Sequence, residues 1–122
     1  MDVLLVEDEA LVRMVLTEEL ADAGLDVAEA PNGEAALRVA SEASAPPSVL
    51  VTDINLGSGM DGFALVAEVR RRWPTTSVVV MTGISANFSG HGSDPDLVWL
   101  LKPFGPPRLT TAVNSLLGRS GR

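Results

Sequence analysis

Short runs of consecutive apolar residues alternate along this chain with longer stretches in which apolar residues recur every three or four positions. Val3-Leu4-Leu5-Val6 is the first run. Continuous apolarity over so few residues marks a strand covered on both faces. Residues 10–23 follow, with Leu11, Val12, Val15, Leu16 and Leu20 on one helical stripe and Gly24 where a helix ends. Leu25 to Ala28 reads as a second strand. Asn32 is an N-cap for a helix over 33–43, which Ser44-Ala45-Pro46-Pro47-Ser48 stops. Val49-Leu50-Val51 is a third strand, ending at Asp53. Asp61 or Gly62 opens a helix that turns Leu65, Val66, Val69 and Trp73 inward, and Pro74 ends it. Val78-Val79-Val80-Met81 gives a fourth strand and Leu97 to Leu101 a fifth. Pro106 or Pro107 starts a last helix carrying Leu109, Val113, Leu116 and Leu117, with Gly118 as its closing residue.

Strand and helix thus alternate about five times. Parallel strands need crossover helices, and such crossovers are right-handed. The pattern predicts an α/β fold: a doubly wound parallel sheet as the middle layer of a three-layer sandwich. The 122 residues form one domain, 1–122, with no linker or repeat. The start at Met1 and the helix closing near the other end suggest a stand-alone protein. With no cysteine, neither a disulfide framework nor a thiolate metal site can form. The first residues are too acidic and too briefly apolar for a signal peptide, and no stretch approaches the ~20 apolar residues of a membrane span. A cytoplasmic location without membrane attachment is expected. A net charge of −7 argues against nonspecific nucleic-acid binding.

In doubly wound sheets ligands sit beyond the carboxyl ends of the strands. Here those ends read Glu7-Asp8, Asp53, Thr82-Gly83 and Lys102-Pro103. Each residue alone has an ordinary role. Asp8 could cap a helix, Glu7 could be a solvated loop acid, and Asp53 could make an Asx turn. Thr82 could end a strand, and Lys102 could sit on the surface. Together they place three carboxylates, a hydroxyl and an ammonium on one sheet edge. Lys102 is also the single lysine beside eight arginines. Clustered carboxylates repel one another unless a cation joins them. Mg²⁺ suits them, with Asp8 and Asp53 as direct ligands and Glu7 holding a coordinated water. An aspartate can attack phosphorus to form an aspartyl-phosphate, and such transfer needs positioning and charge neutralisation above all. Lys102 and Thr82 would meet phosphoryl oxygens, and Gly83 would leave room for the group. A cis bond before Pro103 would aim Lys102 inward, while a trans bond would start the last loop; the residues leave both open.

Five segments in this order carry a family resemblance: Leu4-Leu5-Val6-Glu7-Asp8-Glu9, Val51-Thr52-Asp53, Met60-Asp61-Gly62, Met81-Thr82-Gly83 and Leu101-Lys102-Pro103-Phe104. The chain resembles the receiver domain of two-component response regulators along essentially its whole length. The resemblance implies a flavodoxin-like five-stranded sheet of order 2-1-3-4-5, with a histidine kinase or histidine phosphotransfer protein as phosphodonor. It implies Asp53 as phosphoacceptor, and Mg²⁺ held by Asp8, Asp53 and the Asn55 main-chain carbonyl. Thr82 and Lys102 would contact the phosphoryl group, and Trp99 falls at the family's aromatic switch position. The module would phosphorylate and dephosphorylate itself without being an enzyme on a separate substrate.

Two segments depart from the family pattern. Gly57 stands where a proline is common, and Gly62 comes nine residues after Asp53 where a glycine is common at eight. One residue is inserted, and a looser metal-side loop is expected. Ile84 to Pro95 is rich in glycine and serine, so the fourth helix of the family should be short or irregular here. Phosphorylation could then act by ordering that segment, with Trp99 repacking beneath it. Competing readings are a Mg²⁺-dependent phosphatase with an aspartyl nucleophile, and a receiver cut from a longer regulator or hybrid kinase. The phosphatase would need a general acid where Asn55 stands. A flavin carrier is disfavoured because Glu7-Asp8-Glu9 would repel a phosphate. His91 reads as a solvated loop residue, Arg70-Arg71-Arg72 as a solvated helix end, and Met14 as a surface residue on the first helix.

Overall fold

The computed structural model describes residues 1–57, 59–83 and 96–119. Five strands, β1 (Val3–Val6), β2 (Val27–Ala30), β3 (Val49–Asp53), β4 (Ser77–Thr82) and β5 (Leu97–Leu101), form one sheet of order β2-β1-β3-β4-β5. All four pairings are parallel. The helices are α1 (Ala10–Asp22), α2 (Gly33–Glu42), α3 (Gly62–Arg72) and α4 (Pro106–Arg119). Residues 84–95, where a short or irregular helix is expected, lie outside the described part, as does His91.

Alternation along the strands divides the core in two. Leu5, Val51 and Met81 face α1 and α4, packing with Leu16, Leu20, Leu109, Val113 and Leu116. Leu4, Val6, Leu50 and Val80 face the other way, packing with Ala36 and Ala40 of α2 and Leu65 and Val69 of α3. Central strands covered on both faces are apolar along their middles, which is why the sequence shows continuous runs there.

The local signals for α2 and α3 act as expected. Asn32 accepts a hydrogen bond from the Ala35 N–H at 2.8 Å, and Asp61 accepts one from Ala64 at 2.8 Å. Several details differ from the sequence reading. The second strand runs over Val27–Ala30, not Leu25 to Ala28. The Leu25 N–H is taken by Leu20 O at 3.2 Å and the Gly24 N–H by Ala21 O at 2.9 Å, so α1 is still being closed at residue 25. On α1 the sheet-facing row is Val12, Leu16 and Leu20, while Leu11 is 74% and Val15 57% exposed. Those two occupy the adjacent row, which neither the sheet nor α4 covers. Gly118 does not close the last helix, which continues to Arg119.

Candidate functional site

Three chain segments converge where β1, β3 and β5 end. Parallel pairing in register, with Val6 beside Thr52 and Thr82 beside Leu101, brings their carboxyl ends to one edge. There the polar residues are buried. Glu7 is fully buried, Asp53 is 7% exposed and Thr82 1%. A solvated Glu7 is therefore ruled out. The N-cap of α1 falls on Glu9 without a side-chain cap, so the bland reading of Asp8 as the helix cap fails as well.

The lysine organises the edge. Lys102 Nζ donates to Asp53 Oδ2 and lies 3.5 Å from Glu7 Oε1, bridging two buried carboxylates from different strands. Its own strand end is pinned to the neighbouring one, because the Lys102 N–H donates to Thr82 O at 2.7 Å. The Lys102-Pro103 bond is cis, which resolves the alternative left open by the residues. Asp53 Oδ1 accepts the Asn55 N–H at 3.0 Å, an Asx turn made by the same carboxylate that meets the lysine. Glu7 Oε2 accepts the Glu9 N–H at 3.1 Å. The Glu7 main-chain carbonyl accepts from Arg13 Nη1 at 2.7 Å.

The electrostatics follow from this crowding. Burial pushes the Glu7 carboxyl above the ordinary carboxylate range; Asp53 and Asp8 add to the rise, against the Glu9 N–H and the Lys102 charge. Burial works against a charge on Lys102, but its hydrogen bond and attraction to Asp53, with Glu7 behind it, outweigh that. Its pKa is raised, so the ammonium persists at neutral pH. Among the described residues, the carboxylates of Glu7, Asp8 and Glu9 can bring ligand oxygens within 4.8 Å of one another. An all-oxygen acidic donor set with one buried member suits a hard divalent cation. This group adds Glu9, which the sequence reading omits. Asp53 is outside it, engaged by Lys102 and the Asn55 N–H.

Two glycines shape the loop after β3. Gly57 has φ +72°, a conformation closed to proline. A Cβ there would stand 3.4 Å from Asp8 Oδ2, so the loop runs alongside Asp8. At Gly62 a Cβ would lie 2.3 Å from Asp53 O and 2.6 Å from Ile54 Cα. Only glycine lets α3 start against the backbone of Asp53, a constraint that reading Gly62 as a helix opener misses. The loop, expected to be looser, is tied to α2 by the Met60 N–H, which donates to Glu34 Oε2 at 3.1 Å. Ser58 lies outside the described residues.

Thr82 and Gly83 stand at the end of β4, and no atom lies within 4 Å of where a Gly83 Cβ would be. Trp99 is half-buried on β5, its ring centroid 6.1 Å from that of Phe63 at the start of α3 and tilted by 52°. Of the sequence-expected site residues, Glu7, Asp53, Asn55 and Lys102 are joined by direct contacts, and Asp8 abuts their loop. Trp99 belongs to a separate aromatic contact. Arg13, whose hold on Glu7 was not anticipated, could have been noticed as the arginine one helical turn after Glu9.

Comparison with known proteins agrees with this architecture. A family model described as the response regulator receiver domain matches residues 3–114. The chain is 41% identical over 80 residues to the DNA-binding transcriptional regulator NtrC of Salmonella typhimurium, covering 66% of this chain and 16% of that one. It is 32% identical over 117 residues to the sensor kinase CckA of Brucella abortus, covering 94% and 12%. The chain therefore spans only a small part of these curated relatives. Among solved structures, a response regulator receiver protein from Sinorhizobium medicae superposes with a TM-score of 0.85 at 30% identity, covering 97% of this chain and 94% of the other. The chemotaxis response regulator CheY4 of Vibrio cholerae gives 0.79 at 29% identity, covering 93% and 96%. With the family model spanning nearly the whole chain, this protein belongs to the response regulator receiver domain family.

Proposed function

We propose that the domain is a phosphorylation-dependent switch that accepts a phosphoryl group on Asp53. The observation that carries the reading is the Lys102 ammonium held between Asp53 and the buried Glu7. In the transfer, an Asp53 carboxylate oxygen bonds to phosphorus while the phosphorus–nitrogen bond of a donor phosphohistidine breaks, its electron pair staying on the ring nitrogen. Lys102 would meet charge on the incoming group, and Thr82 would donate its hydroxyl. Gly83 leaves the approach open. Hydrolysis by water at phosphorus would return the carboxylate, so no separate substrate is required.

Asp8, Asp53 and the Asn55 main-chain carbonyl would hold Mg²⁺, with Glu7 acting through a water; Glu9 is close enough to join Asp8. Bound there, Mg²⁺ would neutralise phosphoryl and carboxylate charge. Trp99 would act as the switch residue, reporting the state of the edge to α3 through Phe63. The partner is a histidine kinase or histidine phosphotransfer protein. Exposed Leu11, Met14 and Val15 on α1 offer it an apolar surface. An open groove of about 350 Å³ between α1 and the Lys102-Pro103-Phe104 turn adjoins that surface. Among the described residues no helix is long and apolar enough to cross a membrane. A cytoplasmic location and the absence of nucleic-acid contacts are part of the proposal, the latter on the net charge of −7.

Incubation with acetyl phosphate and Mg²⁺, followed by intact mass, tests the assignment. The wild type should gain one phosphoryl group and Asp53→Asn none. An equal gain in the variant would remove Asp53 from the role.

A further inference from the structure

The Arg13 side chain ties the acidic end of β1 both to the helix behind it and to the strand beside it. Its own N–H makes a first-turn hydrogen bond of α1, to Glu9 O at 2.9 Å. Helical side chains lean toward the N-terminus, which carries the guanidinium back over Glu9 and Asp8. There Nη1 donates to the Glu7 carbonyl at 2.7 Å, and Nε donates to Glu29 Oε1 on β2 at 3.1 Å. The Arg13 side chain is only 19% exposed, and Glu29 pairs with Leu5 in the β1–β2 register.

The carbonyl that Arg13 grips belongs to the peptide unit joining Glu7 to Asp8. On one side of it the Glu7 N–H is fixed to Ala30 O at 3.2 Å. On the other side the chain leaves the sheet, and Asp8 becomes exposed. The orientation of that peptide sets where the Asp8 carboxylate projects relative to the buried Glu7. We infer that Arg13 is a positioning residue for the cation-binding edge, fixing the Glu7–Asp8 peptide so that the Asp8 carboxylate is presented to a divalent cation. The inference rests on the reading of Asp8 as a Mg²⁺ ligand. It explains the choice of arginine, because two donors in one rigid fork reach Glu7 O and Glu29 together, which a lysine ammonium cannot reproduce.

Charge alone makes the opposite prediction. Arg13 is a cation beside the acidic group, so removing it should strengthen Mg²⁺ binding by Coulomb attraction. Positioning predicts weaker binding, since outer-shell partners that orient ligands are worth on the order of tenfold in metal affinity. Mg²⁺ titration followed by backbone amide shifts separates the two. Arg13→Gln and Arg13→Lys should both lose affinity by roughly tenfold, although lysine keeps the charge. In metal-free protein the Asp8 amide resonance should also move in both variants, while those of β4 stay in place. Arg13→Lys keeps the test open should Arg13→Gln fold poorly. Variants that bind Mg²⁺ as tightly as the wild type, or tighter, overturn the inference alone. A wild type that does not respond to Mg²⁺ overturns the cation reading of the edge and the inference with it.

Discussion

The bodies and the carboxyl ends of β1, β3 and β5 share one scaffold but carry opposite chemistry. Leu4, Leu5, Leu50 and Val51 are fully buried and wholly apolar. One or two residues further on, Glu7, Thr52 and Asp53 are buried to almost the same degree. In the bodies, burial is the stabilising term, at roughly 25 cal/mol per Å² of apolar surface removed from water. At the ends, burial costs free energy unless each charge finds a partner. Lys102, the Glu9 N–H and the Asn55 N–H supply those partners. The sheet thus acts as an apolar mount that holds the Glu7 and Asp53 carboxylates at its edge, largely out of water. Substitutions in the bodies should move stability alone, and substitutions at the ends should move chemistry as well.

Lys102→Met should break this division most visibly. Phosphorylation by acetyl phosphate should slow by about 10²–10³-fold, the usual cost of removing one charge-stabilising donor. Folding stability should fall as well, because Glu7 and Asp53 would stay buried without their shared partner. Stopped-flow or quenched mass measurements with a urea melt on the same sample would check both. In the bodies, Leu50→Ala should lower stability by about 2–5 kcal/mol in urea unfolding. The molecules still folded should label at the wild-type rate.

Gly62→Ala sits on the boundary between the two behaviours. Its Cβ would meet the Asp53 carbonyl, so a loss of about 1–3 kcal/mol should come together with slower phosphorylation. A stability loss with an unaltered rate would show that the close approach serves packing alone.

The smallest effect concerns pH. The Glu7 carboxyl is raised by burial, so its contribution to stability is present below its unfolded pKa and lost as pH rises through the folded one. Glu7→Gln removes that dependence. In metal-free buffer the stability of Glu7→Gln relative to wild type should therefore grow as pH rises from the acid range to neutrality. Thermal melts across that range would measure it. A constant difference would mean that Lys102 fully offsets the buried charge.

Much of this was legible in the chain. The apolar runs at Val3–Val6, Val49–Val51 and Val78–Met81 fall in β1, β3 and β4, and the caps at Asn32 and Asp61 hold. What escaped depends on distances that periodicity does not encode. Leu25 belongs to the closure of α1 because its N–H is drawn back to Leu20. Leu11 and Val15 are apolar like Leu16, yet only the three-dimensional packing decides which row of α1 meets the sheet. Glu7 is ionisable, so its full burial becomes intelligible only once Lys102 is seen to arrive from the end of β5, 95 residues away. Arg13 looks like an ordinary helix arginine until its fork is seen to reach two strands.

The central claim is that a single buried carboxylate, Asp53, is the phosphoacceptor. Borohydride reduction of the phosphorylated protein converts an aspartyl-phosphate to homoserine, and peptide mass spectrometry then reads its position. The account predicts homoserine at residue 53 and nowhere else. Reduction product at Asp8, Glu7 or any other acid, with residue 53 intact, would contradict it.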